Sequence, residues 1–207
     1  MDVREGYLAA AASLADLVER IGDVTWKGPG VGDWTLRDLL GHAVSSGLRE
    51  VLNALDRPAD TAVIHSPEAY YALARQVDPA VYAAAVEASS ADARRSGTDL
   101  GEHPGPVVRA FAVEVGRRLA HVPSTAVVTT AAGGMVIDDW LPTRTFELAV
   151  HGYDIAANTD ARFEVADDVV GQAAALAARI AAAMGDGPSV LRALTGRGRL
   201  PDGFSVV

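Results

Sequence analysis

Apolar residues recur at helical spacing in one segment after another of this chain, and alanine fills many of those positions. In the first segment, about 3–21, Tyr7, Leu8, Ala11, Leu14, Ala15, Leu17 and Val18 fall on one side of a helix. Alanine is the best helix former and lets helix axes approach closely. A hydrophobic content of 49% with only 6% aromatics therefore predicts a mainly all-α fold, a helical bundle with a real core. No internal repeat or linker divides the 207 residues, so residues 1–207 are expected to form a single domain, with a loop-like tail from about 195.

The helix starts are marked by local chemistry. After the Gly/Pro-rich connector 27–32, Thr35 and Asp38 stand at capping-box spacing, and Trp34 and Leu39 at the spacing of a hydrophobic staple. This helix is predicted to reach about Leu55, short of Pro58. Ser66-Pro67 and Asp78-Pro79 each pair an N-cap with proline at the first helical position; the second opens an alanine-rich helix over about 81–95. A further helix is expected over 107–120, with Phe111, Val115 and Leu119 on one stripe. The segments 126–130 and 135–137 predict a small β-hairpin turning at Gly133-Gly134. Asp138 or Asp139 is then the expected cap of a helix running to about Ala157, followed by helices over 168–184 and 188–194.

Composition excludes several function classes. The chain has no cysteine, which removes disulfides, thiolate metal sites and any protein-borne thiol nucleophile. A net charge of −9 argues against nucleic acid or an anionic membrane as a partner. No apolar run approaches the length of about eighteen residues needed to span a bilayer, and the first residues show no signal-peptide pattern, so a cytoplasmic location is expected.

Chemistry concentrates in two stretches. In 144–154, Glu147 and His151 stand four residues apart, so on a helix both project from one face at a distance that can grip one metal ion. His42, at the end of Trp34-Thr-Leu-Arg-Asp-Leu-Leu-Gly-His42, is a third candidate ligand. Two imidazoles and one carboxylate suit zinc and other divalent transition metals and leave coordination positions open, as in catalytic sites. The spacing alone does not choose this reading. Arg144, Glu147, His151 and Asp154 form one polar stripe, as do Asp38, His42, Ser45 and Arg49, and a solvated face of an amphipathic helix has the same pattern.

Taken together, Trp34-Thr-Leu-Arg-Asp-Leu-Leu-Gly-His42, Arg144-x-x-Glu147-x-x-x-His151-x-x-Asp154 and the closing 191–197 stretch resemble the DinB-like, mycothiol-dependent maleylpyruvate isomerase family. The resemblance implies a DinB-like four-helix bundle holding a divalent metal, usually zinc, on His42, Glu147 and His151. It also implies mycothiol or a similar small thiol as cofactor and a small electrophile as substrate. The isomerase itself carries an additional C-terminal domain that supplies part of its active site. Only a short tail follows the last helix here, so another transferase or isomerase reaction of the superfamily is expected as readily as maleylpyruvate isomerisation. A homodimer is an expectation of the resemblance alone.

Asp154 is a candidate to orient an imidazole or a metal-bound water from behind, or equally an exposed carboxylate. Arg144 is a candidate to pair with Glu147 or to meet an anionic substrate, and is read first as a surface ion-pair residue. His65, His103 and His121 stand near prolines or helix ends and are not expected to be ligands; Trp34 and Trp140 are read as helix anchors, and Arg197 and Arg199 as solvated loop residues. Two competing functions remain open: a non-catalytic metal- or small-molecule-binding helical domain, and a zinc hydrolase with Asp154 or another carboxylate as general base.

Overall fold

The computed structural model describes residues 1–21 and 26–207. Helix α1 (Val3–Arg20) begins at Asp2, whose carboxylate accepts the Glu5 backbone N–H while the Glu5 side chain accepts that of Asp2. Two otherwise orphaned donors are thus satisfied reciprocally. Thr35 and Asp38 repeat the device for α2 (Leu36–Val44), as predicted. One π-helical turn, Ser45–Arg49, passes α2 directly into α3 (Glu50–Leu55), so a single composite helix runs from Leu36 to Leu55. Ser66 caps α4 (Pro67–Ala72), which tightens into a 3-10 turn at Leu73–Arg75, and Asp78 caps α5 (Pro79–Asp99). The remaining elements are α6 (Pro104–Leu119), the antiparallel strands β1 (Val127–Thr130) and β2 (Gly133–Val136), α7 (Ile137–Ala157), α8 (Asp167–Ala183) and α9 (Gly187–Leu194).

Two expectations are corrected. The hairpin pairs Thr130 with Gly133, so Ala131 and Ala132 make the turn and both glycines belong to β2. Gly133 is needed for its positive φ of 124°, and Gly134 for close contact. The 61–64 segment lies against β2, with Val63 and Ile64 donating to the Gly134 carbonyl, and a Cβ on Gly134 would sit 2.1 Å from the Thr61 carbonyl oxygen. Nor does Asp138 or Asp139 cap α7. Strand β2 runs straight into the helix, Val136 holds the cap position without a side-chain bond, and Asp138 instead accepts from Arg4 Nε at 2.8 Å.

The core is one cluster of buried side chains reaching from Tyr7 to Ile180. Helix α1 packs between α6 and α7, and the composite helix packs against α5 and α7. Leu14, Leu40, Val115 and Leu148, one from each of the four long central helices, are fully buried. Helices α5 and α8 flank this bundle, α8 covering α7 and α4. The fold is mainly all-α, as the sequence predicts. Among the described residues no helix is long and apolar enough to cross a membrane.

Candidate metal centre

His42 lies in the second turn of the composite helix, and Glu147 and His151 follow each other one turn apart on α7. Two contacts set the height of His42. On the α5 side, Gly41 meets Gly97 with no side chain between: a Cβ on Gly41 would fall 2.2 Å from the Ala93 carbonyl oxygen and 2.3 Å from the Gly97 nitrogen. The Trp34 ring lies tilted by 46° against the imidazole, with centroids 4.9 Å apart. Trp34 thus braces the histidine as well as helping to anchor its helix.

The three groups converge. Glu147 Oε2 lies 3.3 Å from His151 Nε2 and 3.8 Å from His42 Nε2, and the two imidazoles meet edge to face with centroids 4.8 Å apart. Their side chains are only 16–18% exposed, which rules out a solvated stripe. The donor atoms all fall within 4.8 Å of one another, and together they form a group that could hold a metal ion. A cation about 2.0–2.2 Å from each donor needs donors no more than about 4.4 Å apart. The two contacts to Glu147 meet that condition, and the two imidazole donors lie within 4.8 Å of each other.

Surrounding groups orient these donors. The Asp154 carboxylate meets His151 Nδ1 at 3.1 Å, which turns Nε2 towards Glu147 and His42. Tyr71, from the end of α4, donates its phenolic hydrogen to Glu147 Oε1 at 2.8 Å. Arg144 corrects the surface reading. It is 4% exposed, and its guanidinium lies over the rings of Tyr70 and Trp140. Its Nη1 donates to the Ser46 carbonyl in the π turn, and its Nη2 stands 4.0 Å from Glu147 Oε1. The buried guanidinium therefore links the helix of His42 to that of Glu147.

Electrostatics follow from this enclosure. Burial alone would raise the Glu147 pKa, but His151, His42 and the Arg144 charge outweigh it and hold the carboxyl well below its usual range. Burial opposes a charged His151, yet its bonds to Asp154 and Glu147 prevail and push its pKa up to about 9. In the metal-free chain this corner is thus a buried ion pair. Burial, followed by the neighbouring Glu147 charge, pushes the Tyr71 phenol well up, so it stays a hydrogen donor.

A cleft of about 860 Å³ is lined by His42, Glu147 and Arg144 together with Tyr82, Val86 and Val206. His65, His103 and His121 are exposed and take no part, and Arg197 and Arg199 lie exposed in the tail, as expected. Trp140 is fully buried and anchors α7. Sequence reasoning missed Tyr71, whose partner lies 76 residues away in the chain. It misplaced Arg144 although that residue shares the stripe of Glu147.

Fold and site define a helical bundle with a three-donor, metal-capable centre under an open cleft. The chain belongs to the mycothiol maleylpyruvate isomerase N-terminal domain family, whose model matches residues 7–156. That stretch runs from α1 almost to the end of α7 and includes all three donors; the 191–197 segment lies beyond it. Comparisons with curated proteins and with solved structures give no match.

Proposed function

We propose that this domain binds one divalent metal ion, zinc or a related transition metal, on His42, Glu147 and His151. There it activates a mycothiol-like small thiol for transfer to, or isomerisation of, a small electrophile. One observation carries the reading: two imidazoles and a carboxylate from helices far apart in sequence meet within 4.8 Å, and two of the three groups, His42 and Glu147, line a cleft. Family membership supports it, and the given sequence has no cysteine to serve as the thiol itself.

A divalent cation held there would lower the pKa of a thiol at its open position. The chain's own residues do the rest. His42 and His151 would supply nitrogen donors to that cation, and Glu147 a carboxylate oxygen. Asp154 holds the His151 ring with Nε2 facing the site, while Tyr71 and Arg144 fix the Glu147 carboxylate from the side away from the imidazoles. The cleft walls orient the electrophile over the donors. The geometry gives less support to a hydrolase that uses Asp154 as general base, because Asp154 is engaged with His151 Nδ1 and is not part of the cleft lining.

The test is thiol consumption by the zinc-loaded protein against a panel of activated alkenes, epoxides and halides, with ester and amide hydrolysis run in parallel. Thiol loss that needs both the metal and an electrophile supports the proposal. Hydrolysis without thiol loss, or binding without turnover, favours the other two readings.

A further inference from the structure

The two oxygens of Glu147 face different surroundings. Oε2 looks towards both imidazoles, at 3.3 and 3.8 Å, whereas Oε1 receives the Tyr71 phenol at 2.8 Å. The same hydroxyl lies 3.2 Å from the Thr143 carbonyl, but it has one hydrogen, and the nearer, charged oxygen is the stronger acceptor. Arg144, at 4.0 Å from Oε1, adds charge without a directed bond. Tyr71 itself has little freedom: it is 9% exposed and packs edge-on against both Tyr70 and Phe146. It also contributes to the cleft lining beside Glu147.

We propose that Tyr71 is a positioning residue that ties up Glu147 Oε1 and so confines the carboxylate to one-oxygen ligation, keeping a coordination position open towards the cleft. This rests on the metal reading above and assigns a role to a residue outside the ligand set. A carboxylate free at both oxygens can swing to chelate a cation, and the second oxygen then takes a position that a thiol or substrate needs. A phenol bonded to one oxygen and wedged between aromatic rings prevents that swing. Orienting partners behind a ligand commonly decide how it binds.

The experiment loads the protein with Co2+, whose visible absorption weakens as its coordination number rises. Tyr71→Phe keeps the ring and removes only the hydroxyl. The expected result is a wild-type protein with an intense visible band and a folded variant that still binds Co2+ with a clear loss of band intensity. A folded Tyr71→Phe with the wild-type spectrum overturns the assignment while leaving the metal reading intact. A wild type that binds no Co2+ overturns the metal reading, and this inference with it. Should the variant not fold, X-ray absorption of the Co2+-loaded wild type decides the matter. A carboxylate bound through one oxygen supports the role of Tyr71, and one bound through both contradicts it.

Discussion

Gly41 and Gly97 touch backbone to backbone where α2 crosses α5, and His42 is the next residue along the chain. The depth at which that imidazole sits is therefore set by the absence of two side chains. Gly41→Ala forces a methyl group into a space 2.2 Å from a carbonyl oxygen, so the helices must part. We expect a loss of about 1–3 kcal/mol in urea unfolding, the usual range for overpacking. Metal affinity should weaken in the same variant. Wild-type stability in Gly41→Ala would show that the crossing is looser than described.

Asp154 is predicted to act through His151. Asp154→Asn keeps a hydrogen-bond acceptor but removes the charge that faces Nδ1 at 3.1 Å. Losing such a partner typically weakens metal binding by about 10–100-fold. Competition with a chromophoric chelator should show a loss in that range with little change in fold. An unchanged affinity would return Asp154 to the role of an ordinary surface carboxylate.

The pH dependence has a definite sign. In the metal-free protein the pKa of His151 is raised to about 9 from an ordinary value near 6.5. Its stabilising contribution is therefore fully present below about pH 6.5 and lost as pH rises through about 9. The size is on the order of 3 kcal/mol. A cation must displace that proton, so its affinity should climb with pH up to about 9 and then level off. Thermal unfolding across pH 6–10, with and without Zn2+, checks both statements. The metal-free protein should lose stability towards the alkaline end, and the loaded protein should not.

Tyr7 gives a test of the π turn. Its hydroxyl is fully buried and donates to the Gly47 carbonyl at 2.7 Å, one of the carbonyls in that wider turn. Tyr7→Phe leaves the carbonyl without this partner and is expected to lower stability by about 1–2 kcal/mol. Chemical denaturation measures it directly, and no change would mean that the bond contributes nothing net.

What could be read from the sequence was largely local. Thr35, Ser66 and Asp78 announce their helices because a cap and its bonds lie within a few residues. Asp138 misled for the opposite reason: its partner, Arg4, is 134 residues away and could not be seen. Spacing placed Glu147 and His151 on one face, but a face turned inward has the same period as one turned to water. Only the meeting of the composite helix with α7 separates the two cases. Tyr71 carried no signal, since nothing in a short helix after Ser66-Pro67 points to a carboxylate on α7. The π turn was equally silent, because its neighbours continue the helical spacing on both sides.

The measurement closest to the central claim is metal content after purification and reloading with Zn2+, compared among the wild type, His42→Ala and His151→Ala. The account predicts about one tightly held ion per wild-type chain and none in either variant, with all three proteins folded. Wild-type protein that retains no metal, or variants that retain as much as the wild type, would contradict it.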